Sequence, residues 1–174
     1  MKGLLPFGSC RVCTVRVNGR PQAACTQPVA PGMVIENDTA ELRELRRDLI
    51  DMLFVEGNHF CMVCAKSGNC ELQALAYRFG ITAPKYPFAF PQRVRDASHP
   101  AIVLDRDRCV LCARCVRASR SLDGKAVFGF EGRGPGKCIA VNAAEGLVAT
   151  DADAADRAVA ACPTGALMEK RVGF

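Results

Sequence analysis

Apolar and polar positions change rhythm several times along the 174 residues. Thr14-Val15-Arg16-Val17 alternates, Asn18-Gly19 interrupts, and Arg20-Pro21-Gln22-Ala23-Ala24 follows. Asn-Gly between two short extended runs is a hairpin signal, because both turn residues must take positive φ. Val34-Ile35 after Gly32 predicts a further short strand. Beyond this the rhythm becomes helical. Leu42, Leu45, Leu49, Met52 and Leu53 recur at helical spacing, while Arg43, Arg46, Arg47 and Asp48 cover the other face. Asp38 followed by Glu41 predicts the N-cap and its partner at the third helical position, the stripe is expected to pack on the core, and the helix should end near Gly57.

A shorter helix is expected from Cys70 to Phe79, stopped by Gly80. Residues 81–100 carry Pro84, Pro87, Pro91 and Pro100 and predict an extended connector, in which Tyr86, Phe88 and Phe90 alternate as if one face packs down. Ile102-Val103-Leu104 predicts a strand. Ala126–Glu131 and Cys138–Val141 predict a hairpin across Gly132-Arg133-Gly134-Pro135-Gly136. That Gly-rich run contains proline and opens no helix, so it is not read as a nucleotide loop. Asp153–Ala161 predicts an Ala-rich helix that delivers Cys162 and is ended by Pro163. The fold class expected is α+β.

Composition narrows the picture. There are eleven cysteines, two tyrosines and no tryptophan, so metal clips are expected to replace part of a thin aromatic core. Met1–Phe7 is too short to hold an apolar signal region, and no run approaches the ~18 apolar residues of a membrane span. Clustered cysteines without an export signal read as metal ligands in a reducing cytosol, so a cytoplasmic location is expected. A net charge of +5 is modest. With no reader motif beside it, nucleic-acid binding is not expected.

The cysteines fall into three groups. Cys109-x2-Cys112-x2-Cys115 is answered by a remote Cys162-Pro163. Such a loop wraps three corners of a cube and leaves the fourth to be approached from the far side, which is the ligand pattern of a [4Fe–4S] cluster. Zinc, which takes a tetrahedron from two separated pairs, and redox disulfides are the other chemistries open to these residues. A two-cluster ferredoxin would place a further cysteine at Ser119, and others at Asp156 and Val159, so one cluster is expected here. Arg106, Arg108, Arg114, Arg117 and Arg120 flank the loop, either to offset the anionic cluster or as ordinary solvated surface. Cys61-x2-Cys64-x5-Cys70 supplies three more thiolates, with His59 as the adjacent fourth candidate. Cys10, Cys13 and Cys25 fit the last three ligands of a [2Fe–2S] pattern, but Leu5 stands at the plant-type position of the first. Cys138 is left over as an expected buried thiol, and His99 in Ser98-His99-Pro100 is read as structural.

Gly8-Ser9-Cys10-Arg11-Val12-Cys13-Thr14-Val15, Ala24-Cys25-Thr26, Glu56–Cys61, Lys66–Gln73, Asp107-Arg108-Cys109 and Glu169–Gly173 together resemble one family along nearly the whole chain. It is the iron–sulfur relay module of the complex I large peripheral subunit, of [FeFe] hydrogenases, of some NAD-linked formate dehydrogenases and of the diaphorase small subunit of soluble NAD-reducing [NiFe] hydrogenases. The resemblance implies a [2Fe–2S] site at Cys10, Cys13 and Cys25, with the first ligand falling ahead of Met1, so the front looks shortened. It also implies a [4Fe–4S] site at His59, Cys61, Cys64 and Cys70, and a second at Cys109, Cys112, Cys115 and Cys162. The implied divisions are a truncated β-grasp segment (1–38), a helical histidine-plus-three-cysteine segment (39–80), a Pro-rich connector (81–104) and a bacterial ferredoxin-like domain (105–174). The implied partners are an FMN/NAD(H)-binding diaphorase subunit and a [NiFe] hydrogenase small subunit in a hetero-oligomer. No catalytic site is implied on this chain. A formate dehydrogenase or complex I-like relay is the alternative of the same class; a zinc-bound scaffold or redox sensor is the alternative of another.

Overall fold

The Asn18-Gly19 pair turns as its sequence demands, with φ of 49° and 78°, and joins β1 (Thr14–Val17) to β2 (Arg20–Ala23). The computed structural model, which describes residues 3–171, adds β3 (Ile35–Glu36) to the other edge of β1, in the antiparallel order β2-β1-β3. This strand begins one residue later than expected. Val34 closes a turn with Asn18, its amide donating to Asn18 Oδ1 and its carbonyl accepting from the Asn18 amide.

Helix α1 (Ala40–Val55) packs on β1. Its cap is Thr39 and not Asp38: Thr39 Oγ1 accepts from the Leu42 amide at 3.2 Å. Asp38 pairs instead with Arg43, and Glu41 with Arg16. The buried stripe is also rotated from the one expected. Leu42, Ile50 and Val55 are buried, Leu45, Leu49 and Leu53 are half-buried, and Met52 is exposed. Arg46 helps to set this face, because it turns onto the sheet and donates to Thr14 O and Asn37 Oδ1.

Helix α2 (Glu71–Arg78) ends ahead of Gly80, whose φ is 64°. The following connector is tied down by its backbone. The Lys85 amide donates to the buried Asp51 carboxylate, and the Ala89 amide to Val55 O. Tyr86, Phe88 and Phe90 therefore do not pack down as expected. They stay exposed, and Phe88 stacks between Phe60 and Phe90 at centroid distances of 6.4 and 5.4 Å.

Past the connector, β4 (Ile102–Leu104) pairs with the last strand, and α3 (Arg114–Ser121) follows the cysteine loop. The hairpin of β5 (Phe128–Glu131) and β6 (Cys138–Val141) comes next, then α4 (Arg157–Ala160) and β7 (Leu167–Glu169). Ile102, Leu104, Ala118, Phe128, Ile139, Leu147 and Leu167 form the core here. Helix α4 is shorter than the run from Asp153 predicted. The Asp153 and Ala155 amides are taken by Asp156 and Asp153 side chains in a turn, and Asp123 caps the helix by accepting from the Arg157 and Ala158 amides. Every described strand pairing is antiparallel, and the helices pack on these small sheets without linking parallel strands, an α+β arrangement. No described helix is long and apolar enough to cross a membrane.

Candidate metal centres

The loop before α3 curls because two of its residues take left-handed backbone: Leu111 at φ 50° and Ala113 at φ 60°. This brings Cys109, Cys112 and Cys115 close enough for their charges to interact, and the end of α4 adds Cys162 to them. The same curl aims amides at sulfur. The Leu111 amide lies 3.4 Å from Cys109 Sγ and the Leu167 amide 3.3 Å from Cys162 Sγ. The Arg114 and Val116 amides serve Cys112 and Cys115. Backbone N–H groups aimed at the sulfurs favour their thiolate form. Burial pushes the Cys109 thiol up to about 12 and holds Cys112 and Cys115 above the usual thiol range. Each neighbouring thiolate adds to this. Three half-buried thiols whose ionisation is opposed by desolvation, and a buried fourth at Cys162, each receive an amide and together fit a site completed by a positively charged iron core.

The middle group sits where α1, α2 and the approach to the first loop meet. A 3-10 turn spans Cys61–Val63, and Cys70 is the N-cap residue of α2, at the positive end of that helix. The Cys61 thiol is raised, by burial first and then by Cys70 and Cys64, so the three lie within reach of one another's charge. Gln73 lowers it through a side-chain hydrogen bond. Gln73 is buried and also accepts from the Gly68 amide and donates to Ser67 Oγ, which fixes the loop. Nothing in the cysteine spacing points to it; a glutamine on the buried face of α2 beside Leu72 and Ala76 is the available signal. His59 rests edge-on against Phe54 at 5.8 Å. Burial and then the charge of Arg108 push its pKa down to about 4, so the imidazole is neutral. Its Nε2 is buried without a hydrogen-bond partner among the described residues. An orphaned neutral imidazole nitrogen fits a metal ligand. The contact that ties His59 to the thiols is its carbonyl, 3.9 Å from Cys61 Sγ, and not its ring.

In the front group, Arg11 at φ 56° bends the Cys10–Cys13 loop as Leu111 bends the other. Cys25, just past β2, lies beside Cys13, with Cys10 close enough to add its charge; burial heads the causes that raise its thiol. Cys10 and Cys25 are exposed and Cys13 is half-buried. Among the described residues no group of three or more Cys, His, Asp or Glu is placed to hold a single metal ion. Thiolates at separate corners of a cubane stand further apart than those round one ion.

Other expectations are sorted by their contacts. Ser119 is 1% exposed, and its Oγ accepts from the Val127 amide while its carbonyl accepts from Lys125. Lys125 pairs with Asp156 at 2.7 Å. A serine and an ion pair thus fill the end where a second ferredoxin cluster would need cysteines. Cys138 is not the buried thiol expected: it stands half-buried at the hairpin end, its Sγ 3.0 Å from Glu131 Oε1. His99 is structural, its Nδ1 accepting from the Ala101 and Ile102 amides. Of the five arginines, Arg114 forks onto Glu71 at 2.5 and 2.7 Å and Arg117 reaches Leu5 O and Cys112 O. Arg106 braces Ile139 O and Val94 O, away from the loop. Arg120 is exposed. Arg108 lies 3.5 Å from Cys64 Sγ, in the middle group.

Comparison with known proteins follows the same three regions. Residues 2–40 match the family "2Fe-2S iron-sulfur cluster binding domain". Residues 46–85 match "NADH-ubiquinone oxidoreductase-G iron-sulfur binding region", and residues 102–168 match "4Fe-4S single cluster domain". The "NADP-reducing hydrogenase subunit HndD" of Solidesulfovibrio fructosivorans is 36% identical over 92% of this chain, which spans 28% of that relative. A crystal structure titled for the NAD+-reducing [NiFe]-hydrogenase in the H2-reduced state contains a chain 48% identical to this one. It superposes with a TM-score of 0.92 over 98% of this chain and 73% of its own. The "NAD-reducing hydrogenase HoxS subunit gamma" of Cupriavidus necator is 44% identical over 97% of this chain and 72% of its own length. The chain belongs to the family of that NAD-reducing hydrogenase gamma subunit.

Proposed function

We propose that this chain relays single electrons between an FMN/NAD(H)-binding diaphorase subunit and a [NiFe] hydrogenase small subunit, in a hetero-oligomer. One [4Fe–4S] cluster is assigned to Cys109, Cys112, Cys115 and Cys162, in a bacterial ferredoxin-like domain. A second is assigned to His59, Cys61, Cys64 and Cys70. Cys10, Cys13 and Cys25 are three thiolates of a [2Fe–2S] site in a β-grasp-like segment. When bound, such clusters take up and release one electron at a time without protein groups entering the reaction. The observation that carries the reading is the first group, where three half-buried thiols and the buried Cys162 each receive a backbone amide. The protein's own work is to hold the sulfurs, exclude water and set the local charge. Arg114 and Arg117 bring positive charge to Cys112, and favour the reduced state by offsetting its added negative charge.

The test uses the assembled complex. Cys112→Ser is expected to abolish hydrogen-driven NAD reduction while NADH oxidation by an artificial acceptor at the flavin subunit continues. Hydrogen-linked turnover at the parent rate in that variant would contradict the assignment. The match of residues 46–85 to the NADH-ubiquinone oxidoreductase-G region favours a complex I-like relay as the second reading. Nickel in the purified complex separates the two, and a colourless zinc-containing protein would exclude both.

A further inference from the structure

Arg108 belongs by sequence to one cysteine loop and reaches by side chain into the other. It directly precedes Cys109, yet its Nη1 lies 3.5 Å from Cys64 Sγ. Its Nε is 3.3 Å from Asp105 Oδ2. The other carboxylate oxygen of Asp105 accepts from the Asp107 amide, so Asp105 is itself fixed as the cap of the turn Arg106–Arg108. The backbone of Arg108 is held as well. Its amide donates to Asp105 O at 3.2 Å, and its carbonyl accepts from the buried Thr164 hydroxyl at 2.6 Å. Only 22% of the side chain is exposed. The cation is thus pinned beside one thiol, not swinging over a surface.

The surroundings support a fixed contact. The Asn58 amide donates to Asp107 O at 2.8 Å, and the Glu71 amide to Pro163 O at 2.9 Å. These bonds hold the middle group against the ferredoxin-like region on both sides of Arg108. At Gly165 a Cβ would stand 2.7 Å from Lys66 Cβ, so the two regions are in close contact there too. The described hydrogen bonds to sulfur in the first group come from backbone amides; Cys64 is the thiol that receives a charged side-chain donor.

We infer that Arg108 sets the redox potential of the cluster at Cys61, Cys64 and Cys70 by donating to the Cys64 thiolate. The inference rests on the reading above that Cys64 is a cluster ligand. Reduction adds one negative charge to the cluster and its sulfurs. A charged donor at a ligand sulfur stabilises the reduced form more than the oxidised form, and so raises the potential. Asp105 offsets part of the charge but orients the guanidinium so that one arm serves the carboxylate and another the sulfur. A lysine ammonium has no such fork and cannot hold both in the same geometry.

The experiment takes the anaerobically purified complex with its partner subunits and measures iron content and an EPR-monitored redox titration. Cys64→Ser marks the signal of the middle cluster by its loss. If that variant keeps every signal and all its iron, the ligand reading fails and the inference falls with it, whatever Arg108 does. With the signal marked, Arg108→Gln is expected to keep the parent's iron and move that midpoint to a more negative potential. The midpoint of the cluster at Cys109, Cys112, Cys115 and Cys162 should stay in place, and Arg108→Lys should fall between glutamine and parent. An unmoved midpoint, or equal shifts of both clusters, overturns the inference. If Arg108→Gln loses iron, Arg108→Lys is read by the same criteria. Loss of iron from both variants also overturns it, because the residue is then needed to build the cluster and not to poise it.

Discussion

Gly57 leaves no room for a side chain. A Cβ there would lie 2.7 Å from the Asp107 carbonyl oxygen and 2.7 Å from His59 Nε2. Gly57→Ala must shift a backbone segment or the imidazole, at a cost of about 1–3 kcal/mol. The expected result is a lower urea midpoint together with loss of about 4 irons per chain, the content of one cubane. A normal midpoint with full iron would show that the imidazole moves freely and is not a ligand. The cysteine groups were legible as candidates because their spacing encodes reach, and Ser119 because it stands where a further cysteine would be. His59 was legible as a candidate by its place beside Cys61. Arg108 and Gln73 were not legible as partners of sulfur. Their contacts join positions 44 apart in one case, and in the other depend on which face of α2 is buried.

Caps and turns decide where elements begin, and they explain the expectations that moved. Thr39 Oγ1 accepts from the Leu42 amide, whereas Asp38 is bound to the exposed Arg43. Thr39→Ala is therefore expected to destabilise the protein by about 0.5–2 kcal/mol, and Asp38→Ala by less, as a change in an exposed ion pair. Denaturation of the two variants side by side checks this, and the reverse order would return the cap to Asp38. The hairpin at Asn18-Gly19 was legible because positive φ has few sequence solutions. The start of α1 was off by one, since Asp38 and Thr39 are both good caps and local sequence does not rank them. Helix α4 was overextended because its limiting cap, Asp123, comes from another part of the chain. The aromatic alternation of Tyr86, Phe88 and Phe90 suggested a buried face, but backbone bonds to α1 fix the connector and leave the rings outside.

For the whole molecule, the arrangement of the cysteine groups rests on contacts between distant segments. Arg114 forks onto Glu71, Arg171 bonds to Ala65 O, and the Glu71 amide reaches Pro163 O. Cys70 and Cys162 are the chain neighbours of Glu71 and Pro163, so that last hydrogen bond links one proposed ligand set to the other. None of this was legible in the sequence, because pairing across such separations leaves no local pattern. The order of the three groups and the family they belong to were legible, because each group is compact in sequence. The proposed ligand sets at His59, Cys61, Cys64 and Cys70 and at Cys109, Cys112, Cys115 and Cys162 would hold two cubanes. The direct measurement is iron, acid-labile sulfide and zinc per chain after anaerobic purification of the complex's separated subunit. About 8 irons with matching sulfide are expected, rising to about 10 where the [2Fe–2S] site is filled. About 4 irons or fewer, or zinc in place of iron, would contradict that assignment.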